Sequence, residues 1–502
     1  MPIIHAIREG NPRPSLFRAI GSGLVPMLLA TAVQASKPAP VAAAMAPEAG
    51  PLIAMDAHPG RSTTSGPGPL VPLDIVQPVL DGVNDTPGRE VQFGRAVALD
   101  GDWLLVGVPA RMDNSGQVRG AAFLFQRVSP TRWEQRQRIL FGSGESARCG
   151  SSVALRGRHA VIGCPEHTGG GLFARGRTTF FERDPATGQY GNAQSVLGEA
   201  ASQRCGTSVA MHGTGEVETT WAVSGCTGGN GTVDVFQRVP TLDGGETWQR
   251  VQTLANPGPP AGGDFGRSVA LFRAPSGLVR IAVGDPRYNH GGTANVGGIA
   301  YLFRRLAAGG SFAQELSRSR PGGAQAFDNC GASVALGAAD WFVGCPGSSE
   351  GGRVLAFDFN GSLWSTGTSV LPPSGLAEPD SGFGHAVATS SSGTQGGLWV
   401  GQPGASGQDN YEGRVHRFQR VGGGSTPQPA IYVPVAHWNA AALVAPRYAE
   451  LGTSVAVDNA TDTAAVGAPF AEIPAPWGEV ILFGPDRIFA NGLGCGSGLP
   501  GC

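Results

Sequence analysis

The chain has 502 residues, 15% of them charged, and its 36 basic and 38 acidic side chains leave a net charge of −2 with histidine neutral. That balance excludes attachment to nucleic acid or to an anionic membrane through bulk charge. With 79 glycines, 39 prolines, 7% aromatics and no long helical period, the core must come from Val, Ala, Leu and Phe on short strands between Gly-rich turns.

Residues 1–35 read as an export signal. Arg8, Arg13 and Arg18 precede an apolar stretch from Ala19 to Ala32, and Val33-Gln34-Ala35 offers the small-x-small pattern that signal peptidase needs. Pro26 interrupts the stretch, which keeps open a start with no export role. Residues 36–71 are rich in Pro, Ala, Gly and Ser and read as a disordered linker. No later segment has the roughly 20 apolar residues that a bilayer span requires, so the mature chain is expected to have no transmembrane segment.

From Phe93 onward a Gly, any residue, a small residue and then Val-Ala recur seven times, beginning at Phe93, Cys149, Cys205, Phe265, Cys330, Phe383 and Leu451. A corner such as Val106-Gly107-Val108-Pro109 usually follows about fifteen residues later, and only Ser224-Gly225-Cys226-Thr227 lacks the proline. A period of roughly 55 to 65 residues built from short alternating apolar runs marks a repeated all-β unit that cannot bury its own faces and must stack. In the first copy, strands are expected near 95–99, 103–108, 119–127 and 133–140, with a hairpin turn centred on Asp100-Gly101. The last copy supplies only three strands. Leu73 to Leu80 matches the outer-strand pattern and is expected to join the last unit, closing the ring and covering its edge.

These residues resemble the FG-GAP repeat, the blade-forming unit of integrin alpha subunits and of many secreted bacterial proteins. The resemblance covers 72–490 and implies an all-β fold, a seven-bladed β-propeller of four-stranded antiparallel blades. A linear stack of hairpins is the alternative. Family members often carry a calcium loop before the Val-Gly-x-Pro strand. Here Asp100-Gly101-Asp102 is a hairpin and Asp458-Asn459-Ala460-Thr461-Asp462 keeps only two carboxylates; no cofactor is expected, and calcium stays a possibility that the degenerate loops weaken.

The eight cysteines fall in a pattern. The copies that begin with Cys149, Cys205 and Cys330 are the ones with a second cysteine in the corner, at Cys164, Cys226 and Cys345. Hairpin pairing sets each pair side by side, giving cross-strand disulfides worth about 3 kcal/mol apiece in the chain-entropy model, provided a bulge near the following Gly brings the sulfurs into range. Cys495 and Cys502, in the tail 491–502, are left for each other. Metal binding is the competing reading, although Cys-x-x-Cys spacing is missing. Paired cysteines and an export signal agree on a secreted, periplasmic or other cell-envelope location.

Chemistry is sparse. Gly347-Ser348-Ser349-Glu350-Gly351 has the letters of a hydrolase elbow but lies in a Gly-rich loop rather than between a strand and a helix. His385 and His416 share a blade without a ligand or catalytic pattern, and the Asn-x-Ser/Thr triplets at Asn84, Asn230, Asn360 and Asn459 are expected to be incidental, as the resemblance to secreted bacterial proteins implies. No catalytic or metal residue is nominated. The loops from second to third strand and from fourth to next first strand should share one rim. Arg111, Asp113, His167, Arg175, Arg287, Tyr288, His290, Tyr411 and Trp477 on those loops are the candidate binding residues, with solvated loop tips as the plain alternative. The expected function is adhesion or binding to a protein or polysaccharide partner, not nucleic acid. A lyase or glycosidase on the propeller and a structural envelope protein remain as alternatives.

Overall fold

The computed structural model describes residues 70–79, 91–113, 115–142, 146–258, 263–290, 297–305, 310–320, 323, 325–390, 397–406, 411–423, 429–440, 448–458, 460–471 and 478–485. The export signal, most of the linker, Trp477, Asn84, Asn459 and the tail with Cys495 and Cys502 lie outside them. Among the described residues there are seven four-stranded antiparallel sheets, and no helix is long and apolar enough to cross a membrane. The chain folds as a seven-bladed β-propeller.

Blade 1 runs through Ala96–Asp100, Trp103–Val108, Ala121–Ser129 and Arg132–Leu140. Burial along it explains the composition of each strand. The second strand lies between neighbouring blades and is almost entirely buried, whereas the outermost strand alternates between buried residues such as Trp133 and Ile139 and exposed polar ones. Facing sheets interlock: Phe93, Leu104, Val106 and Phe123 of blade 1 pack with Ala465, Val480 and Leu482 of blade 7.

The last blade takes Ser454–Asp458, Thr463–Ala468 and Glu479–Pro485 from the end of the propeller and its outer strand, Leu70–Val76, from the beginning. Val76 pairs with Val480 and Leu70 with Pro485, across a bulge between Pro72 and Asp74; proline is tolerated because this is an edge. The closing strand therefore starts slightly earlier than the sequence suggests. It also reaches forward, since Asp74 Oδ2 accepts the Trp133 amide at 2.8 Å and Gln135 bonds both backbone groups of Val79. The same amide clasp recurs outside the ring, where Gln137 holds the backbone of Tyr190, Gln194 that of Trp248 and Gln252 that of Phe312.

Both halves of the repeat motif are explained at one contact. A Cβ on Gly107 would stand 2.0 Å from the carbonyl oxygen of Gly150, the leading glycine of the next blade. The equivalent relation holds for Gly163 with Gly206, Gly225 with Gly266, Gly284 with Gly331, Gly344 with Gly384, Gly401 with Gly452, and Gly467 with Gly94, which returns to blade 1. The small residue after the first glycine serves the same seam: Ser152, Ser208, Ser268, Ser333 and Ser454 each donate a hydroxyl to the next blade's glycine carbonyl at 2.7 to 2.9 Å.

Cys149–Cys164, Cys205–Cys226 and Cys330–Cys345 are disulfides. The hairpins differ from expectation by one residue. Asp100 pairs with Trp103 and Arg156 with His159, so Gly101 and Gly157, at φ +58° and +57°, take the first loop position rather than the second. The shift is absorbed by a bulge, which for Cys205–Cys226 falls between Cys205 and Ser208. In the blades led by phenylalanine the residue facing the corner on the third strand is aromatic: Phe123, Tyr301 and His416 meet Phe93, Phe265 and Phe383 with ring centroids 5.3 to 5.7 Å apart. In the disulfide blades that place holds Thr179, Asp234 and Leu355. The crosslink stands where the aromatic pair is missing.

Candidate binding site at the channel mouth

First strands run inward from the loop-bearing face, so their leading residues and the ends of the second strands meet around the central channel. There they enclose a cavity of about 420 Å³ lined by residues of blades 1 to 4. Five of its side chains are arginines (Arg95, Arg148, Arg204, Arg267 and Arg287) and two are acids (Glu166 and Asp264). Arg148 pairs with Glu166 at 3.2 Å and Arg287 lies 4.0 Å from Asp264. Among the described residues no carboxylate lies within ion-pair distance of Arg95, Arg204 or Arg267.

The backbone aims these groups at a cost. Gln92, Arg148 and Arg204 hold φ of 62°, 49° and 54°, a left-handed conformation that costs a side chain-bearing residue roughly 1 kcal/mol or more. Local hydrogen bonds hold them there: Ser151 Oγ donates to the Arg148 carbonyl and Thr207 Oγ1 to that of Arg204, each at 2.7 Å. Burial, and then the charges of Arg267 and Arg148, push the Arg95 guanidinium below its ordinary range, against an opposing pull from Glu450. Across the ring in blade 6, half-buried His385 is pushed down to about 4 by burial and by the charges of Arg95 and Arg267. Residues from blades 1, 4 and 6 thus share one electrostatic environment.

Of the rim residues nominated from sequence, Arg287 enters this cavity. Tyr288 and His290 follow it and touch each other edge to face, with centroids 4.8 Å apart, while His290 Nε2 bonds Gly298 O at 2.9 Å. Arg111 is buried and His167 half-buried. The Asp113 carboxylate accepts from the Ser115 hydroxyl, Arg119 Nε and the Gln117 amide, contacts that hold it far below the usual carboxylate range. Arg175 spans its own loop from Gly169 O to Gly198 O. Tyr411 is exposed at φ 60°. Sequence reasoning missed Arg95, Arg148, Arg204 and Arg267, although each stands within two residues of the leading glycine of its repeat. Aligning the copies on that glycine exposes them.

A second cavity, of about 760 Å³, lies at the opposite end of the channel among the hairpins. Arg156 meets Asp100 there at 2.9 Å, and Arg183 lies over the Trp103 ring, 4.0 Å from its centroid. Among the described residues, Cys205, Cys226 and Asp234 are grouped closely enough to hold a metal, but the two sulfurs are bonded to each other. At the remaining acidic turn, Asp458 Oδ2 accepts from the Thr461 amide and hydroxyl.

Among solved structures, the chain is similar to the Pseudomonas aeruginosa periplasmic gluconolactonase PpgL, at 14% identity over 68% of this chain and 87% of that one, with a TM-score of 0.40. No curated protein matches it in sequence. Residues 88–125, which hold the leading Phe93-Gly94 and the Gly107-Val108-Pro109 corner of blade 1, match the FG-GAP repeat family. That match in one blade, with the same two glycines joining all seven, supports an FG-GAP repeat β-propeller.

Proposed function

We propose that this chain is exported as a recognition module, in which residues 1–35 are removed, the residues from 36 up to the closing strand Leu70–Val76 form a tether, the propeller follows to about 490 and 491–502 form a cysteine-closed tail. The three disulfides support an oxidising compartment. The propeller engages a protein or polysaccharide through the face that carries the second-to-third and fourth-to-first loops. The observation that carries this reading is the arginine-lined cavity on that face, which sets five arginines against two acids. The test is binding of the mature protein to glycan and protein arrays, beside the variant Arg287→Ala/Tyr288→Ala/His290→Ala. A saturable hit lost in the variant supports the reading. No hit, or one abolished only by changes at the hairpin end, contradicts it.

A carbohydrate-active enzyme is the second reading, favoured by the presence of Glu166 and Asp264 in the same cavity, since sugar cleavage uses paired acids. Product release from an array hit, lost in Glu166→Gln and Asp264→Asn, would establish it.

A further inference from the structure

We propose that the channel mouth is an oxyanion site, in which Arg95, Arg204 and Arg267 together take a multiply charged group of the ligand bearing carboxylate, sulfate or phosphate. This rests on the reading that the loop face is the binding face, and adds the chemistry of what binds there.

Five guanidinium groups against two carboxylates leave the cavity wall three positive charges in excess, and Glu450 beside Arg95 reduces the excess to two. Folding has gathered like charges from separate blades with no ion pair to Arg204 or Arg267 among the described residues and only the pull of Glu450 on Arg95, an arrangement that an incoming oxyanion relieves. Guanidinium forks match oxyanions in pairs of parallel hydrogen bonds. Among the described residues the wall contains no aromatic ring, and so offers no flat apolar surface on which a neutral ring would stack. The same excess repels cations. The site is a local patch of about 420 Å³ in a chain of net charge −2, too small for the extended phosphate tracking that nucleic acid binding needs.

His385 supplies a reporter inside the site. Burial, and then the charges of Arg95 and Arg267, hold its imidazole down at about 4; an anion between the two arginines offsets their part of the shift and raises the titration point.

The experiment is a titration of the mature chain with citrate, inorganic sulfate, inorganic phosphate, galacturonate and neutral galactose, by calorimetry and by the pH-dependent ring resonances of its histidines. The variants are Arg204→Gln and Arg267→Gln, both at exposed positions where folding should survive, as melting curves check. The expected result is that citrate binds, galactose does not, raised salt weakens the complex, each variant weakens it about tenfold, and the His385 titration moves upward. Comparing galacturonate, sulfate and phosphate then identifies the preferred oxyanion. No binding of any anion, unmoved His385 resonances, or unchanged affinity in both variants overturns the proposal. If the anions bind and no array ligand does, the site stands and the recognition reading falls; an array ligand indifferent to both variants keeps that reading and overturns the oxyanion site.

Discussion

Replacing Gly107 with alanine should damage this protein far more than replacing Gly101, six residues earlier on the same hairpin. At Gly101, which holds φ +58°, a Cβ would have no neighbour within 4 Å. Alanine there takes on left-handed strain and gains a smaller unfolded-state entropy, for a net cost of about 1 kcal/mol. At Gly107 the new methyl would meet the Gly150 carbonyl oxygen at 2.0 Å and its carbon at 3.0 Å, both backbone atoms of the next blade. Blades 1 and 2 would have to separate by about 1 Å along a seam held by Cys149 N–H to Arg119 O at 2.9 Å, and the dispersion contacts along it would weaken with distance. A loss above about 3 kcal/mol is expected, at the upper end of overpacking costs. Urea unfolding of the two variants, with midpoints compared at a common slope, measures the difference. A Gly107→Ala protein as stable as Gly101→Ala would refute the reasoning about the seam.

Three further outcomes follow from the same architecture. Peptide mapping without reduction should recover Cys149 with Cys164, Cys205 with Cys226 and Cys330 with Cys345, each closing 15 or 21 residues and each worth about 3 kcal/mol; a Cys149 to Cys205 link would contradict this. Deleting residues 70–76 should lower the melting temperature sharply by opening the edge of blade 7, whereas deleting 36–60 should not, and equal effects would count against closure. Fully buried His416, its ring bonded to Gln402 Oε1 at 2.6 Å, is held down to about 3, chiefly by burial. A depressed histidine stays neutral in the fold while the unfolded chain takes up a proton, so its contribution is present above the unfolded value near 6.5 and is lost as pH falls toward the folded one. The slope is at most about 1.4 kcal/mol per pH unit, and His416→Gln should therefore lose less stability than the wild type between pH 7 and 5 in urea titrations. Parallel losses would contradict the assignment.

The architecture was legible because its key contact is made by residue types that nothing else can replace. A methyl-free corner must touch the next blade's backbone, so glycine recurs at both partners and the repeat shows itself. The cysteine pairs were legible because both members come and go together. The hairpin register was not, since moving Gly101 from the second loop position to the first changes no residue type and is compensated at the bulge. The site was only partly legible. Arg287 stood out because it sits beside Tyr288 and His290 in an evident loop, but Arg95 and Arg267 lie inside the repeat motif, where they resemble strand residues. Their meeting with Arg204 depends on the curvature of the ring, which one copy of the repeat does not reveal.

The claim that the loop face is the working surface is tested most directly by hydrogen exchange of the mature protein with and without a saturating ligand taken from the arrays. Protection should appear in peptides covering 92–95, 109–120, 148–151, 165–176, 204–207 and 264–267, with the hairpins at 100–103 and 156–159 unchanged. Protection confined to those hairpins, or to the outer strands, would contradict it.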